Sequence, residues 1–322
     1  MGDRVTDRPL RIAIIGGGAM GSIYASLLSR GRHEVWLVDI WRHHIDTILR
    51  NGLRVDGPGD LSRVVRLNAT VRVADVGAVD LAILSVKAFA TEAGAASVAE
   101  VLAEGGIAIS MQNGLGNAER LAAVVPHARV AIGVPGHGGA VLGPGHVAHR
   151  VDAVTHLGWL NGDRPEEARA LARLLTDAGL ETSATDDVQT LLWSHVAVVA
   201  GVNAIAALCR IPNIEVARVP EAARLSELAI QEVVAVARAS GVRLPWTDAV
   251  SACRAVYFGN GEHHLSSMTV DVLRERPTEI DVLNGAVVEH GRRLGIATPV
   301  NAALSLAIKT IERTAQRRVR AC

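Results

Sequence analysis

Three glycines and one acid pose the first chemical question. Gly16, Gly18 and Gly21 lie in "GGGAMG", between the apolar run "RIAII" and a helical stretch, and Asp39 closes the next apolar run, "EVWLV". In such a pattern the first glycine permits a tight turn and the second lets backbone approach a pyrophosphate. The third lets helix and strand pack closely. Amides at the helix start, around Ala19, Met20 and Gly21, then face the anion. A carboxylate at Asp39 accepts hydrogen bonds from both ribose hydroxyls of NAD and repels the 2′-phosphate of NADP, so the sequence predicts NAD. Arg42, three residues on, keeps NADP as the lesser alternative. Two further polar residues follow apolar runs: Lys87 in "SVKAFATE", suited to a carboxylate or carbonyl oxygen, and Asn113 in "SMQNGLGN", suited to a nicotinamide amide or substrate.

These residues need a scaffold that places strand ends side by side. Five nearly continuous apolar runs, "RIAIIG", "EVWLVD", "DLAILSVK", "GGIAISMQNG" and "ARVAIGVPG", are each separated by enough chain for a crossover helix. That is the pattern of a doubly wound parallel sheet, an α/β Rossmann domain. A Gly-Pro-Gly turn in "GAVLGPGHVAHRVDAVTHLGW" predicts antiparallel hairpin strands added to that sheet, and "RPEEARALARLLTDAGL" one more helix. Beyond it the β signal vanishes and five helical segments follow. The expected division is residues 1–185 for nucleotide binding and 186–322 for an all-helical substrate domain.

Composition narrows the function classes. Lys plus Arg and Asp plus Glu both count 33, and only the short tail "RTAQRRVRAC" gathers like charge, which argues against a nucleic-acid partner. The N-terminus has no apolar leader and no long uninterrupted apolar stretch predicts a membrane span, so a cytoplasmic protein without a membrane partner is expected. Cys209, Cys253 and Cys322 suggest neither a disulfide framework nor a zinc site. His263 and His264 are adjacent and rarely would both face one ion; no metal site is predicted, and His137 in "VPGHGG" is not assigned.

The glycine motif, "SVKAF", "MQNGLGN", the Gly-Pro-Gly hairpin, "LLWSHVAVVAGVNAIAAL" and above all "SSMTVDVLRERPTEIDVLNGAVVEHGRRLGIATPVN" together resemble the ketopantoate reductase family over essentially the whole chain. The resemblance implies an NAD(P)-dependent reduction of a 2-keto acid to a 2-hydroxy acid, with 2-dehydropantoate as the reference substrate. It also implies that Lys87, Asn113 and Glu279 serve the cofactor, that Ser267 binds the substrate carboxylate, and that Asn203 contributes to substrate binding. Where the family carries its catalytic lysine this chain has His195. Val199 and His264 stand where relatives carry asparagines, and His264 is taken as a substrate contact.

Hydride addition to a carbonyl leaves an alkoxide that needs a proton, and the reverse reaction needs a base, so an acid/base is required in either direction. Imidazole serves both roles. The expectation is that His195 is catalytic, with Glu279 as the carboxylate that holds its proton and Lys87 as the next candidate. The alternatives are a catabolic NAD-dependent dehydrogenase acting on another alcohol or hydroxy acid, and an NAD(H)-binding regulator without catalysis. A homodimer is a modest expectation for such enzymes.

Overall fold

The structure is a computed structural model that describes residues 8–59, 62–259 and 261–315. The charged N-terminal residues, Cys322 and most of the basic tail lie outside these. The chain forms two compact units. One runs to Gln112 and resumes over Asn117–Val188; the other takes Asn113–Gly116 and the chain from Gln189 onward.

The first unit is built on an eight-stranded sheet. Its strands are β1 (Arg11–Ile15), β2 (Glu34–Val38), β5 (Asn68–Thr70), β6 (Val79–Leu84), β7 (Leu102–Ser110), β8 (Val130–Val134), β11 (Thr155–Trp159) and β12 (Thr182–Ala184). Their order is β12-β11-β8-β7-β6-β1-β2-β5. Six strands from β5 to β8 are parallel, and β11 joins β8 antiparallel. From β1 the chain crosses one way to β2 and later the other way to β6, so the order reverses beside β1. In an open α/β sheet that reversal is where ligands collect, at the carboxyl ends of the strands. The core is aliphatic: Ile12 and Ile14 of β1, Leu37 of β2, Leu81 and Ile83 of β6 and Ile109 of β7 pack with Tyr24 and Leu27 of α1 (Ala19–Leu28) and Leu171 and Leu175 of α5 (Pro165–Asp177).

The Gly-Pro-Gly hairpin is present but does not extend this sheet. β9 (Gly138–Gly143) and β10 (His146–Val151) pair antiparallel in a separate four-stranded sheet with β3 (Leu53–Asp56) and β4 (Arg63–Val65), ordered β4-β3-β10-β9. The reason lies in a four-residue segment, "LRVD", whose apolar alternation is short; it forms β3 and pairs in parallel with β10, Val147 opposite Val55. Such short strands gain definition from a partner far along the chain, not from their own pattern.

Among the described residues, the second unit contains helices and short turns only. Its helices are α6 (Val188–Cys209), α7 (Asn213–Arg218), α8 (Pro220–Ala239), α9 (Ala249–Gly259), α10 (Ser267–Leu273), α11 (Asn284–Leu294) and α12 (Pro299–Thr314). Proline at the first turn of α8 and α12 supplies a fixed φ where its missing N–H costs nothing. α6 is long and apolar enough to cross a bilayer, yet 72% of its most apolar window is buried inside the protein, the situation of a core helix. Relative to the expected 185/186 division the boundary moves to 188/189, and the Asn113–Gly116 loop joins the helices. The Leu115 amide donates to the Val282 carbonyl at 2.9 Å, and a Cβ on Gly114 would lie 2.4 Å from that same oxygen, so only glycine fits.

Candidate functional site

The nucleotide loop is a backbone construction. Gly16 has φ +107°, and a Cβ there would sit 2.6 Å from the Val86 amide nitrogen; one on Gly21 would sit 1.8 Å from the Gly16 carbonyl oxygen. Both positions exclude any side chain. Gly18 differs: it is exposed, and no atom lies within 4 Å of where its Cβ would be, so its backbone is open to a ligand. It is also the N-cap of α1 and provides no side-chain cap. The amides of Ala19, Met20 and Gly21 therefore begin a helix whose first donors suit a phosphate. Asp39 lies within this loop: its Oδ2 accepts from the Gly17 amide at 2.6 Å and its Oδ1 from the Trp41 amide at 2.7 Å. Each carboxylate oxygen keeps acceptor capacity for a ribose hydroxyl. A dinucleotide fits these residues.

A buried histidine fixes the loop from behind. The Gly145 amide donates to His44 Nδ1 at 2.9 Å, which leaves the proton of the neutral ring on Nε2, 3.3 Å from Ser22 Oγ; that hydroxyl donates to the Gly17 carbonyl at 3.0 Å. Burial lowers the His44 pKa, consistent with a neutral link. Lys87 is half-buried in the turn after β6, next to the Ser85–Val86 backbone that abuts Gly16. Gln112 positions this turn: its Nε2 donates to the Val86 carbonyl at 2.9 Å and to Thr91 Oγ1 at 2.8 Å, and Thr91 donates to the Ala88 carbonyl. Sequence reasoning overlooked His44, Ser22, Gln112 and Thr91. The last two were visible as the flanking residues of "MQNGLGN" and "SVKAFATE".

In the helical unit, His195, Val199 and Asn203 follow one another at single-turn spacing along α6. The middle of this helix is held from three neighbours. Tyr257 of α9 donates its hydroxyl to the Val198 carbonyl at 3.0 Å, and Asn284 of α11 donates to the Ala200 carbonyl at 3.0 Å. At Gly201 a Cβ would lie 2.7 Å from Ile230 of α8 and from the Tyr257 hydroxyl. Asn284 also donates to Asn301 Oδ1 at 2.9 Å, and Asn301 reaches Glu232, whose carboxylate accepts the Val300 and Asn301 amides at the start of α12. The asparagines of "NG" and "TPVN", part of the most distinctive stretch of the sequence, thus build a buried rack for the helix that carries His195.

His195 is half-buried, and its Nε2 is buried without a hydrogen-bond partner. Burial lowers its pKa, which favours the neutral ring. Glu279 is buried just before the turn Ile280–Val282, the segment to which the Asn113 loop is bonded through Leu115 and Val282, so these two predicted residues are brought into neighbouring segments. Ser267 and His264 are exposed around the start of α10. Ser266, not Ser267, caps that helix, its Oγ accepting from the Thr269 amide at 3.0 Å, which leaves Ser267 outside the cap. Asn203 is buried on α6, two turns beyond His195.

Known proteins match this arrangement along nearly its full length. Residues 12–162 match ketopantoate reductase PanE/ApbA, and residues 187–312 match the C-terminal domain of the same family. A 2-dehydropantoate 2-reductase of Halobacterium salinarum is 32% identical over 304 residues, 94% of this chain and 99% of the relative. Among solved structures, D-mandelate dehydrogenase with NADH and anilino(oxo)acetate superposes with a TM-score of 0.88 at 25% identity, covering 95% of this chain and 99% of that one. A PanE/ApbA family ketopantoate reductase from Ralstonia eutropha gives 0.86 at 30% identity, with 95% and 99% coverage. These relatives are named as enzymes, which does not favour a non-catalytic regulator. With the glycine loop, the acid at Asp39 and the racked helix α6 in place, the chain belongs to the ketopantoate reductase family and is an NAD(P)-dependent oxidoreductase acting on a CH–OH group.

Proposed function

We propose that this protein interconverts a small 2-keto acid and the corresponding 2-hydroxy acid with NAD(H), and that His195 carries the proton. The observation that carries the reading is the Nε2 of His195, buried, unpartnered and kept neutral by desolvation on a helix whose position is fixed by Tyr257 and Asn284. A neutral imidazole of this kind takes the proton of a hydroxyl; in the reverse direction its protonated form returns it to the carbonyl oxygen. The nicotinamide, when bound, supplies or accepts the hydride. Gly16, Gly18 and Gly21 with the first amides of α1 hold its phosphates, and Asp39 reads its ribose.

NAD is favoured over NADP because the Asp39 carboxylate is pinned to the Gly17 and Trp41 amides and has no freedom to swing aside for a 2′-phosphate. The NADH of the D-mandelate dehydrogenase complex supports the same choice. Ketopantoate is the reference substrate, by likeness to the reductases, and the 2-hydroxy acid class is common to both kinds of relative. Lys87 and Asn113 follow parallel strands, Lys87 at a turn fixed by Gln112; Ser267 and Asn203 serve the substrate carboxylate and hydroxyl.

Initial rates with NADH and NADPH on 2-dehydropantoate and a panel of other 2-keto acids test the proposal. Turnover of a 2-keto acid with NADH preferred is the expected result. No turnover of any 2-keto or 2-hydroxy acid by protein that binds NADH would overturn it, and a preference for NADPH would overturn the cofactor assignment alone.

A further inference from the structure

The segment "GHGG" between β8 and β9 assembles a second cluster of chemistry-bearing groups, entirely within the sheet unit. Its glycines bring two stretches of backbone unusually close. A Cβ on Gly136 would lie 2.2 Å from the Val154 carbonyl oxygen, and one on Gly139 would lie 2.4 Å from that of Ala148. The β9–β10 pairing then shifts register, His149 opposite Gly139 but Val151 opposite Gly138, so Arg150 is the extra residue of a bulge. Bulges bend a strand and re-aim its side chains. Here the bend brings Asp152 to His137.

The outcome is three potential ligands at close quarters. His137 Nδ1 lies 3.0 Å from His149 Nε2 and 3.2 Å from Asp152 Oδ1, and His149 Nε2 lies 4.0 Å from the same oxygen. Bonds of about 2.0–2.1 Å to a tetrahedral ion separate ligand atoms by ~3.3 Å, so an ion would need only small shifts of the exposed partner, Asp152. The imidazole side chains are 1% and 0% exposed and Asp152 is 49% exposed, which gives a closed floor and an open side for ion entry. The other nitrogen of each ring, His137 Nε2 and His149 Nδ1, is buried without a hydrogen-bond partner, as is the hydroxyl of Tyr24, whose ring meets His137 edge-on at 6.3 Å; the clustered Nδ1 and Nε2 atoms are the ones that face Asp152.

We propose that His137, His149 and Asp152 form a binding site for a divalent transition-metal ion of the zinc class, with the remaining coordination filled by water. Two imidazoles and one carboxylate suit zinc, cobalt, nickel or copper and not the all-oxygen preference of magnesium or calcium. The ion would clamp the β8–β9 crossing to β10. Arg63 is the competing cation: its guanidinium donates to Ser26 Oγ at 2.6 Å and attracts Asp152, which limits the affinity. In the sequence His149 and Asp152 stand three residues apart and His137 twelve residues before His149, and the His-x-x-Asp pair alone does not announce a site.

The test is zinc titration of the untagged, metal-stripped full chain by calorimetry, with X-ray absorption of the loaded protein. One zinc ion per chain, with a dissociation constant on the order of micromolar, a first shell of nitrogen and oxygen only, no response to magnesium and a raised melting midpoint are expected. His149→Ala should weaken zinc by about 100-fold or more. Asp152→Ala, at a half-exposed position, should weaken it measurably as well, with the melting midpoint of the metal-free variant as the check on its fold. No zinc binding at millimolar concentration, sulfur in the first shell, or unchanged affinity in Asp152→Ala would each overturn the assignment.

Discussion

The two units use their most recognisable residues in different ways. In the sheet unit, Gly16, Gly18, Gly21 and Asp39 both mark the fold and form the surface a nucleotide would touch, because there the chemistry is done by backbone that only glycine permits. In the helical unit, the distinctive residues Asn284 and Asn301 are buried in a structural chain, and the group proposed to carry the proton is His195, on the helix they hold. The asparagine motif of the helical unit therefore identifies a scaffold, and the proposed proton carrier is a side chain mounted on it.

The sharpest way to break this contrast is to remove the mounted side chain. His195→Gln should lower the turnover rate by about 10²- to 10⁴-fold, the range for loss of a general acid/base, with NADH affinity unchanged. A rate within twofold of the parent would move the role to Lys87. Next in size is the rack itself. Asn301→Ala takes away an acceptor of Asn284 and the donors to Glu232 and the Ala229 carbonyl, and should cost ~2–4 kcal/mol of unfolding free energy in urea titrations, as broken buried networks do. A loss below about 0.5 kcal/mol, the size of a surface change, would show that the rack is dispensable.

The sheet unit predicts smaller, more selective effects. Asp39→Ala should weaken NAD(H) binding by about tenfold, the worth of one hydrogen bond to a charged group, while NADP(H) binding holds or improves. Equal losses for both nucleotides in fluorescence titrations would mean that Asp39 organises the loop and does not select the cofactor. The smallest effect is on stability against pH. His33, His44 and His195 all have pKa values lowered by burial from 6.5, so the unfolded chain takes up protons first as pH falls. Their contribution is fully present above pH 6.5 and is lost progressively below it. Thermal melts from pH 8 down to about 5 should show a midpoint that begins to fall near 6.5; a midpoint constant over that span would contradict the burial of these rings.

Much of the fold was legible because long apolar runs and amphipathic helices state their own class. β1, β2, β6, β7 and β8 and the long helices α5, α6, α8, α9 and α12 lie where the pattern put them. What was not legible depended on partners distant in sequence. β3 alternates over only four residues and β4 has three, too few to announce strands alone, and the Gly-Pro-Gly hairpin gave no sign of which sheet it would join. The Asn113–Gly116 loop follows a sheet strand in the chain yet belongs with the helices through Val282. At the candidate site the glycine loop and its contact with Asp39 follow the motif's geometry. The burial of His195 Nε2, by contrast, comes from packing that chemical type alone does not announce. Ser266 and Ser267 are equivalent in sequence, and only the capping bond to Thr269 separates them.

The central claim is that neutral His195 is the group that takes the substrate's proton. It is tested most directly by the pH dependence of kcat/KM for hydroxy-acid oxidation in the parent enzyme and in His195→Lys. The account predicts that the parent loses activity only as pH falls below 6.5, the side on which the ring protonates. In the lysine variant the same limb should move strongly to the alkaline side, toward the amine's reference pKa of about 10.4. Superimposable profiles for the two proteins would contradict it.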